Sequence, residues 1–210
     1  RRDRAFINKI NNVLVQILKH DWPQRWGSFV GDLVGAAKQS ESLCENCMSI
    51  LRLLSEEVFD FSRGELTQAK IMELKNALNT DFPRIHELCE FVLQHSQRPE
   101  LIQRTLLTLH AFLSWIPLGY IFESTLLDTL LKLSPDPNFR NVALQCLAEI
   151  GGLAVEQKYD QHFVKLYVAV MAQLQQILPR SVKIAEAYAN GSDDEQAYIQ
   201  NLAIFLTQFF

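Results

Sequence analysis

Residues 126–154 read Leu-Leu-Asp-Thr-Leu-Leu-Lys-Leu-Ser-Pro-Asp-Pro-Asn-Phe-Arg-Asn-Val-Ala-Leu-Gln-Cys-Leu-Ala-Glu-Ile-Gly-Gly-Leu-Ala. A leucine-rich helix ends near Leu133. Ser134-Pro135-Asp136-Pro137 makes the turn, because proline cannot continue a helix and suits a first turn. A second helix opens at Phe139-Arg140-Asn141-Val142-Ala143 and ends at Gly151-Gly152, an ordinary use of glycine. Neither helix buries its apolar face alone, so the hairpin must stack on neighbours.

An aromatic–Arg–x–x–Ala start to the second helix marks the hairpin as HEAT-type, and the rest of the chain extends the pattern. The reading is all-α: a right-handed α-solenoid of antiparallel hairpins at about 22–60, 65–116, 121–152 and 157–210, with a leading helix at 6–20. Apolar residues recur at helical spacing almost throughout. The leading helix groups Ile10, Val13, Leu14, Ile17 and Leu18. Asp21 is then expected to cap a helix carrying Pro23 in its first turn, followed by Trp26, Phe29, Val30 and Leu33. Ser40 or Ser42 caps the next, and Ser42-x-x-Glu45 fits a capping box. Its core stripe is Leu43, Cys47, Ile50, Leu51, Leu54 and Val58, and Gly64 breaks the chain. Pro83 should kink or restart the helix over 66–95. Leu101, Ile102, Thr105, Leu109, Phe112 and Ile116 face inward on the following helix. Pro179 ends a helix at about 157–178, and Ser192-Asp193-Asp194-Glu195 reads as a capping box opening the last one.

Composition narrows the function. The 210 residues are 48% hydrophobic, with eight glycines and seven prolines, too few for a many-stranded β protein. A formal charge of −4 argues against nucleic acid as the main partner, and the Arg1, Arg2, Arg4 cluster reads as a solvated helix end. No window suits a membrane span or a signal peptide. Four irregularly spaced cysteines do not resemble a disulfide framework and point to a reducing, intracellular setting.

Catalytic signals are missing. Cys44-Glu45-Asn46-Cys47 lies near the start of an amphipathic helix rather than after a strand, so its thiols read as core. The histidines fit no metal motif, and no phosphate loop or nucleophile elbow occurs. Asp193-Asp194-Glu195 reads as a capped start rather than a cation site. The expectation is a chain that is no enzyme and needs no cofactor or metal. Its working part is then surface: residues opposite the core stripe of each second helix, facing the inner side of the arch. At about 100° per residue these are Glu45, Ser49, Arg52 and Glu56 on one helix, and Gln103, His110 and Ser114 on another.

Specific stretches carry a resemblance: Trp22-Pro23 with Trp26 and Phe29; Ser40-Glu41-Ser42-Leu43-Cys44; Leu53 to Phe61; Trp115-Ile116-Pro117-Leu118-Gly119-Tyr120-Ile121-Phe122-Glu123; Phe139-Arg140-Asn141-Val142; and Asp193-Asp194-Glu195-Gln196 with Ile199-Gln200-Asn201-Leu202. In these the chain resembles the early HEAT-repeat region of the exportins, karyopherin-β receptors for nuclear export. The resemblance implies binding of Ran GTPase in its GTP form, cargo with leucine-rich export signals, nucleoporin contacts, and shuttling between nucleus and cytoplasm. It puts a principal Ran site before Arg1. The export-signal groove, its reactive cysteine and an acidic loop would lie beyond Phe210, so none of the four cysteines here takes that cysteine's role. Pro83 departs from the family pattern. Neither end reads as a capping repeat, and the apolar Leu206 to Phe210 stripe suggests a segment of a longer array. The alternative is a HEAT scaffold of a phosphatase or chromosome complex.

Overall fold

The structure, a computed structural model, describes residues 2–59, 66–155, 157–177 and 183–208. Expectations resting on Gly64, on Pro179 and on Phe209-Phe210 fall outside them. The described residues are helical, with no strand among them, as the apolar period demands. The helices are α1 (Arg2–Asp21), α2 (Phe29–Ala37), α3 (Glu41–Phe59), α4 (Gln68–His95), α5 (Pro99–Leu113), α6 (Gly119–Phe122), α7 (Leu126–Leu133), α8 (Arg140–Gly151), α9 (Asp160–Ile177), α10 (Ile184–Asn190) and α11 (Asp193–Thr207). They form two compact units, residues 1–112 and 113–210.

In the first unit, α1, α3 and α5 make one layer and α2 with α4 the other. Packing joins α1 to α3, and α2 to both α3 and α4. The α3–α5 contact is tight enough for side chains to reach backbone: Ser55 Oγ donates to Ala111 O at 2.7 Å and Thr108 Oγ1 to Met48 O at 2.9 Å. Leu51, Leu54, Leu74, Leu78, Phe82, Ile85 and Phe112 fill the space between layers, fully buried. All six residues expected to face inward from α5 and its exit, Leu101 to Ile116, are buried.

Four expectations need correction here. Pro83 neither ends nor restarts α4, which runs unbroken through it for 28 residues. The lost hydrogen bond is outweighed by the packing of Leu74, Leu78, Phe82 and Ile85 on both sides of it. The segment after Asp21 opens as turns rather than helix. Asp21 ends α1, the Trp22–Pro23 peptide is cis, and α2 starts only at Phe29. That turn buries Trp22 completely. Of the two serines offered as the cap of α3 it is Ser40 whose Oγ accepts from Leu43 N at 3.2 Å; Ser42 lies inside the helix and opens no capping box, and Leu43 is 43% exposed rather than core. Finally, the expected apolar stripe of α1 is only partly covered: Leu18 is fully buried and Leu14 half-buried, but Ile10, Val13 and Ile17 are at least half exposed. The side meeting α3 holds Val15 and Leu18 with two polar residues, Asn11 and Lys19, each 2% exposed. Asn11 Nδ2 donates to Asn46 Oδ1 at 2.8 Å, and Lys19 Nζ pairs with Glu57 Oε2 at 2.9 Å, so both polar groups are matched across the contact.

In the second unit α7 packs on α6, α8 and α9, while α11 packs on α8 and α10. Helical spacing puts Phe139, Val142, Cys146 and Ile150 on one side of α8 and its entrance, and all four are under 9% exposed. The capping box of α11 is present in full, with Ser192 Oγ accepting from Glu195 N and Glu195 Oε2 accepting from Ser192 N. α10 was not anticipated. It is seven residues long and buries no side chain fully, so its sequence carries almost no amphipathic signal.

Candidate partner-binding face

The solvent side of the α1/α3/α5 layer holds the residues singled out on α3 and α5, and most of them are engaged with the protein itself. Glu45 is only 18% exposed and lies between two arginines, Arg4 on α1 at 4.0 Å and Arg104 on α5 at 3.8 Å. It therefore ties three neighbouring helices together through charge. Ser49 Oγ donates back to Glu45 O at 3.0 Å, the usual resting bond of a serine inside a helix. Arg52 Nε donates to Glu56 Oε1 at 2.6 Å along the same helix, with both side chains partly in solvent. Gln103 is exposed, and His110 is half-buried. Ser114, also picked from spacing, lies in the second unit and is exposed.

Sequence reasoning missed Arg4, Arg104 and the Lys19–Glu57 pair on this layer. Helical spacing says which residues share a side of one helix; it does not say how neighbouring helices align. Gln16 and Glu57 illustrate the point, 41 positions apart and hydrogen-bonded at 3.2 Å.

The second unit carries a polar seam between α8 and α11. Arg140 pairs with Asp194, and its guanidinium lies 5.2 Å from the centre of the Tyr198 ring. Asn141 Nδ2 donates to Asp194 Oδ1 at 2.6 Å and to its backbone oxygen at 3.0 Å. Asn201 Nδ2 donates to Asn141 Oδ1 at 3.3 Å, and Gln145 Nε2 to Asn201 Oδ1 at 3.3 Å. The stretches Phe139 to Val142 and Asp193 to Leu202, read above for their resemblance, are thus one contact in space.

The chemistry of the titratable groups is structural. Burial pushes the Cys44 and Cys47 thiols up to about 11, and raises Cys89 and Cys146 as well; all four are free and buried. Thiols held so far above neutral pH are poor nucleophiles. The backbone N–H and hydroxyl of Ser192 hold the Glu195 carboxyl below its usual range, as a cap should. The Tyr159 hydroxyl, 2.6 Å away, does the same for Glu123. Among the described residues no cluster of His, Cys, Asp or Glu could hold a metal ion, and no helix is long and apolar enough to cross a membrane. The first unit carries a groove of about 720 Å³ lined by Val34, Cys44, Leu88, Phe91, Val92 and Leu101 among others.

Comparison with known proteins shows the family. Residues 3–147 match the family model described as Exportin 1-like protein. Over 210 residues the chain is 61% identical to Protein EXPORTIN 1A of Arabidopsis thaliana, covering all of this chain and 20% of that protein. It is 48% identical over 209 residues to Exportin-1 of Drosophila melanogaster, covering 99% of this chain and 20% of the relative. Identity to Exportin-1 of Schizosaccharomyces pombe is 44% over 211 residues, again all of this chain and 20% of the relative. The chain thus spans about a fifth of the length of the curated relatives it matches. With the helical layers, the family match and this identity along the whole of the chain together, the chain belongs to the Exportin 1-like protein family.

Proposed function

We propose that this chain is a segment of a nuclear export receptor that binds Ran in its GTP form together with cargo bearing leucine-rich export signals. The observation that carries this reading is 61% identity to an exportin-1 relative along all 210 residues, rather than over one motif. The segment contributes part of the inner arch and a structural spacer, while cargo is taken by repeats outside it. Nucleoporin contacts, shuttling between nucleus and cytoplasm and the lack of any catalytic role belong to the same reading. A scaffold role in a phosphatase or chromosome complex has no comparable support.

On this reading the polar side of α1, α3 and α5 faces the GTPase. Glu45, Ser49, Arg52, Glu56, Gln103 and His110 remain the proposed contacts. Arg52 and Glu56 are the better candidates, because their mutual bond is solvent-exposed and can be exchanged for a partner's charge at little cost. Glu45 is already committed to two arginines, so its part is to hold them. The test uses the whole receptor: capture of GTP-loaded against GDP-loaded Ran, with wild type and the Arg52→Glu/Glu56→Arg pair. Capture of Ran·GTP alone by wild type, weakened in the pair with an unchanged circular dichroism spectrum, is the expected result. Equal capture of both nucleotide forms would overturn the reading. Unchanged affinity in the pair would remove these two residues from the contact set.

A further inference from the structure

We infer that the polar seam between α8 and α11 is a register lock: it selects one alignment of the two helices and adds little to their stability. This goes beyond the export reading and does not depend on it.

Two observations make the case. The first is that apolar packing cannot define this alignment alone. The buried apolar residues of α11, Tyr198, Leu202 and Phe205, recur about once per turn. A slide of one turn, roughly 5.4 Å, returns a similar apolar surface to α8. The polar partners, by contrast, occur once. Asn201 is 7% exposed and receives from Gln145 while donating to Asn141, so its amide is matched at a single alignment. Asn141 is bonded in turn to Asp194, which also holds Arg140, so one displacement breaks the whole ladder.

The second observation is that the seam is poorly built for stability. The Arg140 side chain is 17% exposed, yet its Nε is buried with no hydrogen-bond partner among the described residues. A desolvated donor left unmatched costs free energy that an apolar pair of the same shape would avoid. Polar groups retained at such a cost act by penalising wrong alignments, as a single buried asparagine does in coiled coils.

The experiment places spin labels at Lys132→Cys on α7 and Ile204→Cys on α11, both exposed positions. The native thiols are buried and stay unlabelled. Electron–electron distance measurements should give one narrow population with the seam intact. In the Asn201→Leu variant a second population displaced by about 5 Å should appear. Its melting temperature should equal or exceed that of the parent. One narrow population in the variant would overturn the inference, because apolar packing would then suffice. So would a fall of several degrees with the distance unchanged, which would make the ladder a plain stabiliser. If Asn201→Leu fails to fold by circular dichroism, Gln145→Leu, at a half-buried site, is measured against the same two outcomes.

Discussion

Phe139 sits at the entrance to α8 with 6% of its surface exposed, and its ring is the largest side chain on that helix's buried face. Truncating it leaves a cavity as well as losing transfer free energy. Phe139→Ala should therefore destabilise the second unit by about 3–5 kcal/mol, read by urea denaturation. A loss below about 1 kcal/mol would place the ring in solvent. The four cysteines offer a second check at this scale. With Cys44 and Cys47 titrating near 11, native protein at pH 8 should react with a thiol-specific chromogenic disulfide far more slowly than unfolded protein, in which all four react at once. Fast modification of two thiols in the folded state would mark the start of α3 as open. Burial of Cys47, Cys146 and Phe139 was legible from spacing alone. The role of Glu45 was not: its two partners lie 41 and 59 positions away on other helices.

Among the elements, α4 shows how far packing overrides local preference. Pro83 lacks an N–H and crowds the preceding turn, at a cost of about 3 kcal/mol in a helix interior. The helix nevertheless continues for three turns beyond it, because Ile85, Leu88 and Cys89 are buried there. Pro83 itself is exposed, so Pro83→Ala should stabilise the first unit by about 1–3 kcal/mol, less a few tenths for a freer unfolded chain. A lower melting temperature in that variant would show that the helix depends on the proline's geometry. The first helix makes the complementary point. Of the stripe read from spacing it buries Leu18 but leaves Ile10, Val13 and Ile17 open, and the side it covers also includes Asn11 and Lys19. Periodicity locates an apolar stripe; only the neighbouring helix decides which stripe is covered.

For the whole molecule, the export reading carries its own limit. On the proposed reading cargo binding belongs to repeats outside residues 1–210, and a part of a large contact surface loses most of its favourable contacts while keeping the entropic cost of association. Residues 1–210 alone should bind a leucine-rich export-signal peptide no better than an unrelated helical protein does. Fluorescence anisotropy with a labelled peptide measures this, and micromolar or tighter binding would relocate the cargo site into this segment.

The amino-acid sequence by itself determined that this chain is helical and where most of its helices begin and end. These follow from local physics: a 3.6-residue apolar period, proline at turns, a serine and a glutamate three apart at a helix start. Tertiary structure alone decided the rest. It carried α4 through Pro83, left Ile10, Val13 and Ile17 of the α1 stripe open, drew Glu45 between Arg4 and Arg104, and brought Asn141 to Asn201. Each of these depends on the alignment of two helices distant in sequence. That alignment is set by packing and by pairing of buried polar groups, which no single helix encodes.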